Sequence, residues 1–212
     1  MLSEPALALT DLVLGVVTLA LAARLRGTVG VHHSWFLTFA WTGAAAVAGF
    51  VHHGFVTFSD DVDGPSFAVV SLMVVVGVSY LLSATVYEVL GPGRRKAFWL
   101  LRIASLGAYL ALALSGRAGA SSILMAEGVT MALILLLWVR AYRDDHPMAP
   151  RILVAFGVSA AAAIAQGLPE SATRTATGLD PVSLYHLAQI PGIVMMYLAL
   201  VATVRPATSP AT

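Results

Sequence analysis

Long apolar stretches separated by short charged segments dominate this chain. An α-helix rises 1.5 Å per residue, so about 20 apolar residues are needed to cross the roughly 30 Å hydrocarbon core of a bilayer. Stretches of about this length, nearly free of Asp, Glu, Lys and Arg, run over Pro5–Ala23, Ser34–Phe55, Pro65–Leu90, Ala97–Ser115, Ala120–Val139, Ile152–Leu168 and Pro181–Val204. The pattern predicts an all-α integral membrane protein, a single domain over residues 1–212 that forms a seven-transmembrane-helix bundle.

Local residue choices indicate where the predicted helices end and how closely they pack. Gly91-Pro92-Gly93 is expected to end the third span, because glycine and proline both disfavour a continuing helix. Asp180 before Pro181 is typical of an N-cap followed by proline at the first helical position, and Asp63 could cap the third span in the same way. The small residues of Gly43–Gly49 would let a neighbouring helix approach closely.

Basic residues concentrate on one side of the predicted bundle. Ten of the twelve basic residues lie there, and they are Arg24, Arg26, Arg94, Arg95, Lys96, Arg102, Arg140, Arg143, Arg151 and Arg205. The opposite side carries Asp60, Asp61, Asp63, Glu170 and Asp180. Because basic loops stay in the cytoplasm, we expect the N-terminus outside and the C-terminus in the cytoplasm. On the same side, Trp35, Trp99 and Trp138 would form an interfacial aromatic belt.

Composition narrows the classes of function. Hydrophobic residues make up 58% of the chain and charged residues 11%, against roughly 25% charged in soluble domains. We therefore expect membrane lipids as partners, in the inner (plasma) membrane of a bacterium. The net charge of +1 gives no indication of a nucleic-acid partner, and without cysteine there is no disulfide or thiolate site. The only lysine, Lys96, lies in a predicted cytoplasmic loop, which excludes a retinal Schiff base.

Ionisable residues on several predicted spans fall at one level, in the outer third of the membrane. They are Asp11, His52, His53, Asp63, Glu127 and His186. Such residues are costly inside a membrane and commonly mark functional sites. His52 and His53 would point roughly 100° apart on a helix, so at most one is expected to face the bundle centre. We expect one of them to approach His186.

The histidine positions resemble those of the CREST superfamily, which contains alkaline ceramidases, progestin/adiponectin receptors and Per1-like proteins. In that family an Asp follows a helix 2 His by eleven residues, as Asp63 follows His52, and His186 resembles the second half of a helix 7 His-x3-His motif. This chain departs from the family at three positions. Ala48 replaces the family serine, and Val182 and Ile190 stand four residues either side of His186.

The resemblance implies a zinc-dependent intramembrane hydrolase that acts on a lipid amide or ester. A catalytic zinc needs three protein ligands and an open position for water. His52 or His53 and His186 could supply two ligands, and Asp63, Asp11 or Glu127 could supply the third or act as general base. We expect Asp63 to complete the site, with an oxygen closer to a histidine than those of Asp11 or Glu127.

Other interpretations of the same residues stay open. The bundle could be a non-enzymatic receptor-like or structural relative in which the polar groups form an inert network. His52 or His53 and His186 could be axial ligands of haem b. Asp11 and Glu127 could take part in transport or in proton movement.

Overall fold

The computed structural model describes residues 2–28, 30–117 and 120–203, without the side chains of residues 60, 95–97, 120–122 and 124–126. The described part is helical and contains no strand. Its helices are α1 (Pro5–Arg26), α2 (His33–Val51), a π-helix (His52–Val56), α3 (Asp60–Leu90), a 3-10 turn (Pro92–Arg94), α4 (Arg95–Leu114), α5 (Ala120–Arg143), α6 (Ala149–Gln166), α7 (Glu170–Thr177) and α8 (Pro181–Thr203). The predicted span end at Val204 and the tail residue Arg205 lie outside the described residues.

Several of these helices are long and apolar enough to cross a membrane. Within the described residues there are five, over Pro5–Arg26, His33–Val56, Asp61–Leu90, Ala149–Gln166 and Pro181–Thr203, and Phe98–Leu114 is a shorter apolar helix. The all-helical architecture and the presence of helices able to span a membrane are therefore as the hydropathy pattern predicts. The short helix α7, between α6 and α8, was not predicted.

Glycine brings α1 and α2 into close contact. A Cβ added at Gly43 would lie 3.0 Å from the backbone nitrogen of Leu19, and one at Gly15 would lie 3.1 Å from the backbone oxygen of Gly43. On the other side of the bundle, a Cβ at Gly192 of α8 would lie 3.1 Å from the backbone oxygen of Ala155 in α6. The close approach expected for the Gly43–Gly49 run is confirmed, and it fixes α1 against the end of α2.

Two tryptophans lie in the bundle core rather than at its surface. Trp35 and Trp138 are fully buried, whereas Trp99 is 56% exposed. Trp35 Nε1 donates a hydrogen bond to Glu88 Oε1 (3.2 Å), and Trp138 Nε1 donates to Thr85 Oγ1 (3.1 Å). The expectation of an aromatic belt is therefore wrong for Trp35 and Trp138, because α3 supplies partners that let both indoles turn inward.

The expected helix ends are partly correct. α3 stops at Leu90, and Gly91 adopts a positive φ of 79° before the 3-10 turn. Asp180 Oδ1 accepts hydrogen bonds from the backbone N–H groups of Val182 (3.0 Å) and Ser183 (2.9 Å), as an N-cap does. The cap expected at Asp63 is wrong. α3 begins three residues earlier, at Asp60 after Ser59, and continues through Pro65.

Candidate functional site

A π-helix at the end of α2 positions the His52-His53 pair. The Thr57 N–H donates to the His52 carbonyl (3.2 Å), five residues back, so this turn is wider than an α-helical turn. The two imidazole rings meet edge to face with centroids 4.6 Å apart. They then diverge, because His52 contacts a carboxylate at the start of α3 and His53 contacts carboxylates at the start of α1.

Residues before α1 hold the π-helix in place. The backbone N–H of Ser3 donates to the carbonyl of Gly54 (3.1 Å), and that of Glu4 donates to the carbonyl of His53 (3.1 Å). A Cβ at Gly54 would lie 3.0 Å from Leu2 Cδ2, so glycine leaves the room that Leu2 fills. The start of the chain thereby covers one side of the histidine pair.

His53 lies between two carboxylates. Its Nδ1 is 2.7 Å from Glu4 Oε2, within hydrogen-bond distance, and its Nε2 is 4.0 Å from Asp11 Oδ2. The exposed fraction of the side chains falls from 50% at Glu4 through 20% at His53 to 7% at Asp11. The imidazole thus separates a solvent-accessible acid from a buried one.

Asp11 joins α1, α2 and α8. Its Oδ1 lies 3.1 Å from His186 Nδ1 on α8, although the two groups are not aligned as a hydrogen bond and this nitrogen is otherwise without a partner. A Cβ at Gly49 would lie 2.6 Å from Asp11 Oδ2, so only glycine at this position of α2 leaves space for the carboxylate. We call Glu4, His53, Asp11 and His186 the imidazole–carboxylate cluster.

His52 and Asp63 form a separate pair beside this cluster. His52 is buried, and its Nε2 lies 3.7 Å from Asp63 Oδ1, while Nδ1 is buried with no hydrogen-bond partner. The Asp63 side chain is 49% exposed. The expectation that Asp63 would be the carboxylate nearest a histidine is therefore wrong. Asp11 approaches His186 more closely, because Asp63 lies at the bundle surface.

Glu127 lies in another part of the bundle. It is buried, and Ser105 Oγ of α4 donates to its Oε1 (3.1 Å). No described contact joins Glu127 to a histidine. The predicted site residues therefore separate into three groups: Asp11 with His53 and His186, Asp63 with His52, and Glu127 with Ser105.

Asp180 fixes a negative charge at the start of α8. Burial alone would raise the pKa of this carboxyl. Hydrogen bonds from the Ser183 hydroxyl and from backbone N–H groups outweigh that effect and hold its pKa below the usual value. The carboxylate capping α8 is therefore ionised near neutral pH, at the same end of the helix as His186.

The predicted zinc ligands do not gather around one point. In the described part of the chain, no group of three or more His, Asp or Glu side chains is arranged so that it could hold a metal ion. His52 contacts Asp63, whereas His186 contacts Asp11. Zinc binding stays a prediction.

Sequence reasoning missed Glu4 and the π-helix. Glu4 precedes α1 and was outside every predicted span, yet it makes the shortest contact of His53. The available signal was the position of an acidic residue one residue before Pro5, on the same predicted side as His53. The π-helix has no comparable signal in the sequence.

Comparisons with known proteins identify one family. The model of a family of unknown function (DUF6962) matches residues 6–204. No curated protein and no solved structure matches the chain significantly. The matched range includes every member of the imidazole–carboxylate cluster except Glu4.

Proposed function

The chain belongs to the DUF6962 family of unknown function, and we propose that it is a membrane protein whose imidazole–carboxylate cluster relays protons for transport. The observation that carries this proposal is the position of His53, which presents opposite ring nitrogens to Glu4 and to Asp11. An imidazole can accept a proton at one nitrogen and release one from the other. Alternating acid and histidine side chains form the proton relays of pumps and transporters.

The relay runs from the exposed acid to the buried histidine. Glu4 delivers a proton to His53 Nδ1 across 2.7 Å. His53 then releases the proton of Nε2 to Asp11 Oδ2, and the 4.0 Å gap requires a bridging water or a shift of about 1 Å. Asp11 passes a proton to His186 Nδ1 across 3.1 Å. The proton is conserved in each step, and no other bond changes.

Charge balance favours one resident proton in the cluster. Ionised Asp11 alone would be an unpaired charge in a largely buried place, and so would a protonated His186 alone. A shared proton between them leaves either a neutral acid beside a neutral imidazole or an ion pair with no net charge. Both states keep the net charge of the pair at zero, so moving the proton between them leaves no unpaired buried charge.

The proposed topology places the cluster at the external water. Seven spans would cross the plasma membrane of a bacterium, with α4 and α5 added to the helices that are long and apolar, and with the N-terminus outside. A reporter active only in the cytoplasm should then be active when fused after Arg205 and silent when fused within residues 171–177. The reverse pattern would overturn this orientation.

Proteoliposomes test the transport function. An imposed pH gradient should drive proton movement through wild-type protein, measured with an internal pH-sensitive dye. His53→Gln and Asp11→Asn should slow it about a hundredfold or more, the scale of a positioned proton-transfer group. His33→Gln, at the opposite end of α2, is the matched control and should leave the rate unchanged. Equal rates in all four proteins, or no movement in any, would contradict the proposal.

A metal-dependent lipid hydrolase is the second candidate. The observation in its favour is that two imidazole nitrogens, of His53 and His186, approach the two oxygens of one carboxylate, Asp11. Two histidines and a carboxylate are a common ligand set for zinc and for iron. Holding a metal would require these side chains to move, since within the described residues no three such groups are arranged around one point. Elemental analysis of detergent-purified protein, with an absorption spectrum, tests this candidate. Bound zinc supports a hydrolase related to the CREST enzymes, and a Soret band supports haem b. The absence of both signals supports the relay or an inert bundle.

A further inference from the structure

A second polar region lies between α3, α4 and α5, on helices that carry no part of the imidazole–carboxylate cluster. Ser105 of α4 bonds Glu127 of α5. Glu127 is 5% exposed, Thr130 is 2% exposed and Tyr109 is fully buried. Arg102 of α4 donates to Ser79 Oγ of α3 (3.4 Å). We call Arg102, Ser105, Tyr109, Glu127 and Thr130 the α4–α5 seam.

Polar atoms in this seam are buried without a hydrogen-bond partner among the described side chains. They are Arg102 Nε, the Tyr109 hydroxyl, Glu127 Oε2 and Thr130 Oγ1. More than about 90% of buried polar groups in proteins bond either to protein or to ordered water. The described side chains supply none of these four hydrogen bonds, and the four atoms lie on two adjacent helices, so they are candidates for bonds to ordered water.

Helix geometry places these atoms in register. Thr130 follows Glu127 by three residues, which puts both on one face of α5, about 4.5 Å apart along the axis. Arg102 precedes Ser105 by three residues on α4. Since α4 and α5 are antiparallel neighbours and Ser105 contacts Glu127, Arg102 lies level with Thr130. Tyr109 follows Ser105 by four residues on the same face of α4. Because helical side chains lean toward the helix N-terminus, its ring extends back toward the level of Ser105 and Glu127.

The charges in the seam determine what can bind there. Arg102 supplies a guanidinium donor and Glu127 a carboxyl acceptor, so the seam has one group of each sign. A bound cation would meet Arg102, and a bound anion would meet Glu127. A neutral molecule that both donates and accepts hydrogen bonds fits both groups. Water is the smallest such molecule, and one water spans about 5 Å between two partners with bonds of about 2.8 Å.

We propose that the α4–α5 seam binds ordered water, which links Glu127 Oε2 to Thr130 Oγ1 and reaches Arg102 Nε. The water links Arg102 to Glu127 through hydrogen bonds inside the bundle. It also gives the Tyr109 hydroxyl a partner that the described side chains do not provide. The seam is thus a hydrated site on α4 and α5, independent of the proton relay on α1, α2 and α8.

X-ray hydroxyl-radical labelling tests for this water, because radicals form from water in place and oxidise the aromatic side chains beside it. Tyr109 and Trp138 are both fully buried, but the Trp138 indole has a protein partner in Thr85. In the wild-type protein, Tyr109 should be oxidised several-fold faster than Trp138 after correction for intrinsic reactivity. Equal, background-level oxidation of both residues would overturn the proposal.

Substitutions extend the test to the water's own ligands. Thr130→Val keeps the side-chain shape and removes the hydroxyl, so oxidation of Tyr109 should fall several-fold. Thr18→Val is the matched control, because Thr18 is buried and its hydroxyl already donates to the Leu14 carbonyl (2.7 Å). Unchanged Tyr109 oxidation in Thr130→Val, or an equal fall in Thr18→Val, would contradict the assigned water ligands.

Discussion

The same dipeptide, His-His, stands at both ends of α2, and the two copies have different surroundings. His32 caps the start of the helix by accepting from the Ser34 N–H (3.2 Å), and its ring stacks on Tyr87 at 3.8 Å. His33 is exposed beside Phe36. At the other end, His52 and His53 each contact a carboxylate of another helix or of the segment before α1.

The two doublets differ in the groups that neighbouring helices and segments place beside them. The contacts described for the first doublet are with backbone and aromatic groups. The second doublet lies in a π-helix, where a wider turn directs one ring toward α3 and the other toward α1. Residue type alone therefore does not distinguish the two doublets, whereas the carboxylates that other elements bring to His52 and His53 do.

The largest expected effect separates His53 from His33. His53→Gln removes the group between Glu4 and the buried Asp11, and should lower the free energy of unfolding by about 2–3 kcal/mol, the upper part of the range for a hydrogen bond to a charged group. His33→Gln should change it by less than about 0.5 kcal/mol. Reversible unfolding in mixed detergent micelles measures both. Equal effects would remove the distinction between the two ends of α2.

A smaller effect is expected at Gly49, which leaves space for the Asp11 carboxylate. Gly49→Ala places a methyl group 2.6 Å from Asp11 Oδ2 and should cost about 1–3 kcal/mol, since the carboxylate must move away from His186. Gly157→Ala on α6 is the control, because nothing lies within 4 Å of its added Cβ. The control should be neutral or stabilising by up to about 1 kcal/mol. If Gly49→Ala leaves the free energy of unfolding unchanged, the placement of Asp11 does not depend on a glycine at position 49.

The helix-capping histidine should give an effect near 1 kcal/mol. His32→Ala removes a cap and should cost about that amount, while His32→Asn should recover most of it, because Asn is a strong N-cap residue. Proton movement in proteoliposomes should be unchanged in both variants. A loss of proton movement would mean that the His32-His33 doublet also belongs to the relay.

The smallest expected effect is at Asp63. Its side chain is half exposed and 3.7 Å from His52, and such pairs contribute up to about 1 kcal/mol. Asp63→Asn should therefore change the free energy of unfolding by less than this. A cost of several kcal/mol would indicate that Asp63 and His52 are coupled to the cluster.

Hydropathy was sufficient to predict the long apolar helices, because an apolar segment in a membrane must satisfy its backbone hydrogen bonds within itself. It did not predict the short polar helix α7. The shared level of Asp11, His53 and His186 also followed from helix positions. Their pairing did not, since it depends on which helices are neighbours and on a glycine at position 49 of α2. Spacing to His52 favoured Asp63, but spacing along the chain does not report that Asp63 faces the surface.

The contacts of two residues, Glu4 and Glu127, could be identified only from the three-dimensional structure. Glu4 reaches His53 because the residues before α1 bond to the π-helix backbone, a contact that no periodic pattern shows. Glu127 was predicted at the same level as the histidines, yet it bonds Ser105 of α4, and its helix α5 packs against α3, α4 and α6. A level in the membrane therefore predicts which residues can meet, and helix order decides which of them do.

The central claim is that Asp11 couples His53 to His186, and 15N NMR of ring-labelled histidine tests it most directly. The chain has six histidines, so single His→Gln variants assign the resonances. As pH is varied, the ring 15N shifts of His53 and His186 should change together in the wild-type protein and independently in Asp11→Asn. If His53 and His186 titrate independently in the wild type, or still together in Asp11→Asn, then Asp11 does not link them and the relay account is contradicted.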